Sequence, residues 1–544
     1  MAMKTPGVYV IEKNAFPSSV VEVATAIPAF IGYTEKAGNG SLDLTNKPRR
    51  ITSMAEYHSY FGGAPQPEFS FNVKKENVVT ALLTENINEA EIQAKEKVIM
   101  ASTKEEKAAL EYSVTYDRTY TFYYNLLFFF ANGGGSCYIV SVGNYNVKPD
   151  KKQILNGIDT LLKEQEPTML VIPEAVNFSE KSDCKEIQEA MLKHCGYQMK
   201  NRIAILDIYS GDKEKSYREG VFKDKDVITS FRDDIGANFL NYGTAYYPWL
   251  NTSIISENDI TFEYFSKEDS RATLVSFLTE KLIEPLDQLL GNEKDGKEQL
   301  RIGNRKKELE ILIKNLGSSE TDIQDRKSIH ETLRNICPEY RELIKDMAQQ
   351  INVLPPSAAM AGIYTMIDNT RGVWKAPANV SVANAIGPTV NITHEEQEDL
   401  NVPLSGKAIN AIRTFTGEGI KVWGGARTLD GNSLDWRYIN VRRTMIMLEE
   451  SIKNAARIYV FDPNVANTWI SVKSMIGNFL NGIWKRGGLA GAAPDDAYSV
   501  HLGLGETMTP EDVLEGIMRI TVLVAISRPA EFIEITFQQQ MQKS

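Results

Sequence analysis

The sequence is poor in the residue patterns on which enzymes, metal proteins and secreted proteins depend. Its four cysteines, among 544 residues, include no CxxC pair, and a chain of this length does not need disulfides to stabilise a core. Its five histidines are scattered, and no HExxH, GxSxG or phosphate-loop motif occurs. The sequence therefore predicts no catalytic site, no metal, no cofactor and a reducing compartment.

Long apolar runs and excess positive charge are missing as well. The longest apolar run, residues 120–131, is well short of the roughly 20 residues that a membrane helix needs. The front of the chain lacks the pattern of a signal peptide. The formal net charge of -11 disfavours nucleic acid or an anionic membrane as the main partner. We therefore expect synthesis and assembly in the cytoplasm, with no nucleic acid partner and no direct membrane insertion.

Strand and helix patterns alternate through most of the first 400 residues. Short apolar stretches typical of buried strands occur at residues 137–142, 169–172, 203–207 and 238–246. Amphipathic or apolar helical patterns occur at residues 120–131, 151–164, 179–195 and 227–235. This rhythm predicts an α/β fold, with a doubly wound and mostly parallel sheet covered on both faces.

Two stretches rich in lysine and glutamate interrupt that rhythm. They lie near residues 74–111 and 291–350, and both have helical spacing. We interpret them as charged helical insertions, the second as a helical hairpin. Their charges are most simply explained as solvated helix faces.

The part of the chain beyond residue 400 has a different pattern of strands and helices, which predicts a C-terminal α+β domain. Strand patterns occur at residues 420–423 and 517–526, and helical patterns at residues 441–456 and 465–484. Residues 401–544 hold 15 basic against 14 acidic side chains, so residues 1–400 carry a net charge of -12. We expect the acidic part to face the solvent.

Each end of the chain carries a strand pattern that has no neighbour in the sequence to pair with. Residues 5–12 and 531–537 are rich in β-branched and aromatic residues, and their backbone groups need partners distant in sequence or in another chain. The pattern alone leaves self-pairing and exchange between subunits equally open. The residues predicted to form these two arms are Val8, Tyr9, Val10, Ile11, Phe532, Ile533, Ile535 and Phe537.

Three features invite an enzymatic interpretation, and each has a simpler structural one. Asp207 ends a predicted strand, where α/β enzymes often place an acid, but no base accompanies it. His194 and Cys195 are adjacent at a predicted helix end. The glycines at residues 133–135 precede a strand, where a helix C-cap fits better than a phosphate loop.

Several stretches resemble contractile tail sheath proteins of phages, R-type pyocins and extracellular contractile injection systems. The most distinctive are residues 355–364 (PPSAAMAGIY) and 368–379 (DNTRGVWKAPAN). The other matching stretches are residues 5–12, 25–33, 51–57, 61–63, 130–140, 409–413, 422–429, 438–443 and 528–533. The resemblance covers most of the chain except the two charged insertions.

The resemblance implies a structural protein without enzymatic activity. Such subunits polymerise helically around a rigid inner tube and contract to drive it through a target envelope. The amino arm of one subunit and the carboxyl arm of another add strands to a sheet in a third subunit. The implied partners are further copies of the chain, the inner tube, baseplate and terminal cap proteins, and any sister sheath proteins.

The resemblance also suggests how the chain is divided. The expected parts are an N-terminal arm (1–20), an α/β sheath domain (21–400), a C-terminal α+β domain (401–527) and a C-terminal arm (528–544). Lys473, Lys485 and Arg486 are candidates for contact with the tube, and ordinary solvated helix surface explains them equally well. The alternatives are a static shell or surface-layer-like protein and, more remotely, an α/β hydrolase.

Overall fold

The computed structural model describes residues 20–74, 111–218, 222, 225–317, 323–415, 417, 419–424, 426–532 and 534. The chain divides into two compact units. The larger unit comprises residues 1–65, 119–251 and 354–544, and the smaller comprises residues 66–118 and 252–353. The predicted insertions therefore lie mostly in the smaller unit.

Eighteen strands and sixteen α-helices occur in the described residues. The strands are β1 (Pro28–Thr34), β2 (Gly38–Asn39), β3 (Leu42–Asp43), β4 (Arg49–Ile51), β5 (Phe69–Lys74), β6 (Glu111–Tyr116), β7 (Cys137–Asn144), β8 (Met169–Val171), β9 (Ile203–Asp207), β10 (Gly243–Tyr247), β11 (Leu250–Thr252), β12 (Val353–Leu354), β13 (Val380–Ser381), β14 (Ala385–Pro388), β15 (Asn410–Phe415), β16 (Gly419–Val422), β17 (Tyr498–His501) and β18 (Thr521–Val524). The helices are α1 (Met54–Phe61), α2 (Phe122–Ala131), α3 (Lys151–Thr160), α4 (Lys181–Lys193), α5 (Val227–Asp234), α6 (Glu268–Leu278), α7 (Glu284–Asn292), α8 (Gly296–Gly317), α9 (Ile323–Ile336), α10 (Pro338–Ile351), α11 (Ser357–Arg371), α12 (His394–Asn401), α13 (Ile439–Ala456), α14 (Ala466–Lys485), α15 (Pro494–Ala497) and α16 (Pro510–Leu514).

A nine-stranded sheet forms the centre of the larger unit. Its strand order is β13-β16-β15-β10-β9-β8-β1-β7-β4. The six strands from β15 to β7 pair in parallel, whereas β4, β13 and β16 pair antiparallel at the two margins. The sheet is therefore mixed but mostly parallel, and its central strands β1, β8 and β9 are buried along their whole length.

Helices cover this sheet on both faces. The ring of Phe30 in β1 lies 5.0 Å from that of Phe129 in α2. The next residue, Ile31, faces Gly157 of α3 so closely that a Cβ atom there would lie 2.8 Å from the Ile31 side chain. Because consecutive strand residues point to opposite faces, α2 and α3 lie on opposite sides of the sheet.

Most predicted elements of the larger unit occur where the sequence places them, with three differences. The strand predicted at residues 517–526 is confined to β18, Thr521–Val524. The strand predicted at residues 238–246 begins only at Gly243, because Phe239 adopts a left-handed conformation and residues 240–242 form a 3-10 turn. The strand predicted at residues 420–423 is β16, which joins the large sheet through β15. Strands β15 and β16 are thus part of the same sheet as the preceding α/β region.

The smaller unit has an aromatic core. Its strands β5 and β6 form an antiparallel pair, with Phe71 of β5 5.3 Å from Phe265 and 5.6 Å from Phe277 between ring centres. Tyr112 of β6 lies 4.8 Å from Phe277. Residues 75–110, most of the first predicted insertion, lie outside the described residues.

The second predicted insertion contains one more helix than the expected hairpin. The helix predicted after residue 319 is divided into α9 and α10 at Cys337, which has an extended backbone. Pro338 causes the division, because a proline lacks the N–H group that a continuous helix would need there. In the part of the chain that the structure describes, no helix is long and apolar enough to cross a membrane.

Candidate assembly surface

The end of the chain forms a small helix and strand layer with its own apolar core. Helix α14 places Val472, Ile476 and Ile483 toward that core, at the three- and four-residue spacing that the sequence predicted. Helix α13 contributes Met447 and Leu448. Strands β17 and β18 lie over this cluster, with Val500 buried in it. The helices therefore hold a two-stranded sheet in place.

Strand β18 of the two-stranded sheet has an outer edge with no backbone partner among the described residues. Its register pairs Tyr498 with Val524 and His501 with Thr521, and Ala525 N donates to Ala497 O at 2.9 Å. Hydrogen-bonded pairs alternate along an antiparallel ladder, so the N–H and C=O groups of Val522 and Val524 point away from β17. No described residue outside the ladder hydrogen-bonds to those groups.

The two faces of this sheet differ in polarity. Val522 and Val524 pack on the apolar cluster below, whereas Leu523 on the other face is 57% exposed. His501 and Ser499 share that outer face, with His501 Nε2 3.0 Å from Ser499 Oγ. The sheet therefore offers an open backbone edge next to a half-apolar face, which suits the addition of another strand.

The base of the C-terminal arm is held by four hydrogen bonds to one carboxylate. Arg427 donates from Nε to Glu531 Oε1 at 3.0 Å and from Nη2 to Oε2 at 2.7 Å. Asn401 Nδ2 donates to Oε1 at 2.8 Å, and Tyr438 Oη donates to Oε2 at 3.1 Å. Burial would raise the pKa of Glu531, but these hydrogen bonds and the Arg427 charge lower it overall. Glu531 is thus held in place by side chains that are distant in the sequence.

The base of the N-terminal arm is held by polar contacts as well. Ser451 Oγ accepts a hydrogen bond from Val23 N at 3.0 Å, and Arg443 Nη2 donates to Thr25 O at 3.0 Å. Arg486 forms an ion pair with Glu22 at 2.5 Å between Nη2 and Oε2. Residues 22–25 and Glu531 are therefore both anchored within the larger unit.

The predicted arm residues themselves lie mostly outside the described part of the chain. Phe532 is described and is 75% exposed. The residues not described are Val8, Tyr9, Val10, Ile11, Ile533, Ile535 and Phe537. Their role as arm strands stays a prediction.

The three candidate tube contacts do not form one group. Lys473 lies 3.9 Å from Glu506 and is exposed, and Lys485 is exposed at the end of α14. These two lysines are 12 residues apart, which separates them by roughly 120° around a helix. Arg486 is committed to Glu22 and to the ring of Trp374, 5.1 Å away. Contact of these residues with a tube remains a prediction.

The residues that invited an enzymatic interpretation have structural roles. The carboxylate of Asp207 accepts hydrogen bonds from the backbone N–H of Ser357, at 2.9 Å, and from its hydroxyl, and so caps α11. Burial raises the pKa of Asp207 to about 7 despite these bonds. His194 is fully buried beside Arg202, and burial followed by that charge lowers its pKa to about 4. Within the described residues, no group of side chains suits a metal ion.

Sequence reasoning missed the residues that hold the two chain ends. Arg427 and Arg443 lie in stretches that carry the family resemblance, but their partners are far away in the sequence. Ser451 is an ordinary helical serine in the sequence. Only the tertiary structure reveals what these three side chains contact.

The comparisons with known proteins agree with this architecture. Residues 432–540 match the family model described as the phage tail sheath C-terminal domain. The tail sheath protein of Vibrio phage KVP40 is 24% identical over 198 residues, which are 36% of this chain and 27% of that protein. The chain thus matches only about a quarter of the length of this curated relative.

Solved structures match nearly the whole chain. A chain of the sheath complex of PVC, an extracellular contractile injection system, in the contracted state is 25% identical, with a TM-score of 0.55 over 99% of both chains. A chain of the contracted helical sheath of the anti-feeding prophage (AFP) is 24% identical, with a TM-score of 0.55 over 99% of this chain and 100% of that one. A chain of the contracted AFP baseplate is 21% identical, with a TM-score of 0.59 over the full length of both.

The family model covers the layer formed by α13, α14, β17 and β18, and the solved structures share the fold of the rest. The chain is thus similar to contractile tail sheath proteins, through the sheath family model over residues 432–540 and through solved sheath chains over nearly its whole length.

Proposed function

We propose that this protein is the structural subunit of a contractile sheath, which polymerises helically around an inner tube and contracts to drive that tube through a target envelope. The sheath matches across the whole chain support the proposal. Other copies of this chain, the tube, the baseplate and a terminal cap protein would be its partners. Assembly would take place in the cytoplasm, within a phage-tail-like particle.

The observation that carries the linkage mechanism is the open edge of β18. Arms from other subunits would add strands there, so that the two-stranded sheet becomes part of a larger intermolecular sheet. Each backbone hydrogen bond contributes about 0.5 to 1.5 kcal/mol net, so an arm that makes four or five adds several kcal/mol. The rotation from one subunit to the next does not return to the first subunit and so does not form a ring. The same contact therefore repeats along a helical filament.

Contraction would need no nucleotide in this scheme. The free energy would come from new contacts between subunit bodies in the contracted form. The near-neutral residues 401–544 would face the tube, and the acidic remainder would face outward. Measurable ATP hydrolysis by the purified sheath during contraction would refute this energy source.

Electron microscopy of the purified full-length protein tests the function itself. We expect hollow helical tubes in a long narrow form and a short wide form. Flat sheets or closed cages would identify a static shell protein instead. Deletion of residues 1–15 should abolish the tubes, and contractile tubes of normal length from that deletion would contradict arm linkage.

A substitution at the open edge tests the strand addition more finely. Val522→Pro removes an outward N–H group without touching the hydrogen bonds between β17 and β18. Val522→Thr is the matched control, because it keeps both the N–H group and the shape of the side chain. We expect Val522→Pro to block tube formation and Val522→Thr to permit it. Equal tube yields from the two variants would rule out strand addition at this edge.

A further inference from the structure

Both chain ends contact the same helix. Asn440 Nδ2 donates to Ser527 O at 3.2 Å, four residues before Glu531. Arg443 and Ser451, on the same helix α13, bind Thr25 and Val23. The two ends of the chain therefore converge on α13 although they lie about 500 residues apart in the sequence.

The three contact residues form one stripe on α13. Asn440, Arg443 and Ser451 are three and eight residues apart in succession, which keeps them on one helix face. The stripe spans roughly 16 Å along the helix axis. All three side chains are buried, so the stripe lies inside the larger unit and is fixed by its surroundings.

The stripe is also tied to the large sheet. Arg443 binds both carboxylate oxygens of Asp368 in α11, at 2.9 Å and 2.5 Å, and its guanidinium lies 4.7 Å from the centre of the Tyr364 ring. Helix α11 begins at the Asp207 cap at the end of β9. Thr25 is thereby connected, through Arg443 and Asp368, to the centre of the fold.

The N-terminal segment borders a cavity on one side. A cavity of about 500 Å³ lies beside Val23, Ala24 and Thr25, and Ile446 and Met447 of α13 line its other wall. Apolar burial along that side is therefore incomplete, and the hydrogen bonds to Ser451 and Arg443 add to the packing of Val20 and Val23 against the apolar cluster.

We propose that the α13 stripe, together with Arg427 at the base of the C-terminal arm, is an anchor. It carries tension from one arm of a subunit to the other through the body of that subunit. This inference rests on the proposed function. When subunits move during contraction, the load on one arm passes through α13 to the other arm.

Two pairs of variants separate anchoring from ordinary stability. Ser451→Ala removes the acceptor for Val23, and Thr444→Ala is its control, because Thr444 is equally buried on α13 and its hydroxyl has no partner. Glu531→Gln loosens the C-terminal base, and Glu449→Gln is its control, because the ion pair that Glu449 forms among the described residues is with Arg442 on the same helix. If Glu531→Gln does not fold, Tyr438→Phe removes a single hydrogen bond from the same carboxylate.

Hydrogen exchange on dissociated full-length subunits reports the anchoring. We expect the exchange of amides in residues 20–26 to rise about tenfold in Ser451→Ala, and that of residues 527–532 to rise similarly in Glu531→Gln. Each control should stay within about twofold of the natural protein. Unchanged exchange in the anchor variants would overturn the proposal.

Triggered contraction of assembled tubes tests whether the anchor residues bear load. We expect Ser451→Ala and Glu531→Gln tubes to break during contraction, while tubes of both controls contract intact. Intact contraction of the anchor variants, despite raised exchange, would overturn the load-bearing role while leaving the proposed function in place. Absence of tubes from the natural protein would refute the proposed function, and the anchor with it.

Discussion

An exposed ion pair in the smaller unit and two buried ion pairs around α13 differ in how far apart their partners lie in the sequence. In α8, Arg301 pairs with Glu298 one helical turn away, and both side chains are exposed to solvent. Around α13, Arg443 pairs with Asp368, which lies 75 residues away, and the two side chains are only 4% and 2% exposed. Arg427 and Glu531 are 104 residues apart and are also mostly buried.

This difference shows that the number of charges in a segment says little about what they stabilise. Exposed pairs within a helix contribute about 0 to 1 kcal/mol, because water and salt screen them. A buried pair is costly to break, because the remaining charge has no solvent around it. The exposed pair in α8 therefore adds little stability, whereas the buried pairs around α13 join distant parts of the chain.

Breaking the Arg443 and Asp368 pair should have the largest effect. Arg443→Met leaves the Asp368 carboxylate buried without a cation, and we expect the free energy of unfolding to fall by about 3 to 5 kcal/mol. Urea unfolding of dissociated subunits measures this. The double variant Arg443→Met with Asp368→Asn should recover part of the loss. A loss below about 1 kcal/mol in the single variant would contradict the comparison.

The Glu531 pair should have a smaller effect that depends on pH. Glu531→Gln should lower the free energy of unfolding by about 1 to 3 kcal/mol near neutral pH. Because the folded protein lowers the pKa of Glu531, the contribution of the carboxylate exists above its unfolded pKa and is lost as the pH falls through the folded value. Urea unfolding at several pH values should show the variant and the natural protein converging in acid. A constant difference would contradict this.

Asp207 should show the opposite pH dependence. Burial raises its pKa to about 7, so the folded protein retains a proton that the unfolded chain releases from about pH 4 upward. Stability should therefore fall as the pH rises from about 4 to 7, with a slope of about 1.4 kcal/mol per pH unit from this group. Asp207→Asn should remove that part of the slope. Identical slopes for both proteins would show that Asp207 is not responsible.

The smallest effect is expected at the surface of the smaller unit. Arg301→Ala removes one exposed pair and should change the free energy of unfolding by less than about 0.5 kcal/mol. Repeating the measurement at high salt should reduce even that change, because salt screens exposed charges. A loss of unfolding free energy as large as that of Arg443→Met would contradict the difference between the exposed pair and the buried pairs.

Several elements could be predicted because they depend on neighbours in the sequence. Helix α14 follows from its apolar spacing, and α16 from the Thr509 cap that accepts a hydrogen bond from Asp512 N. The central strands follow from short apolar runs between turn residues. The division at Pro338 could also have been predicted from the sequence, since a proline disfavours a continuous helix.

The site is less predictable than the elements. The sequence indicates strand patterns at both chain ends and a sheet in the C-terminal region. It does not indicate that β15 and β16 join the large sheet, because strand pairing depends on which edges meet in space. It also does not distinguish Arg486, which the fold pairs with Glu22, from the exposed Lys485 beside it.

By itself, the sequence determined the order of strands and helices, the charged character of the insertions and the family resemblance, all of which are local properties of short stretches. Only the tertiary structure decided that both chain ends rest on α13 and that a few buried charges hold them there. The physical reason is distance along the chain: Arg443, Thr25 and Asp368 form their contacts only after the sheet and its helices have brought them together.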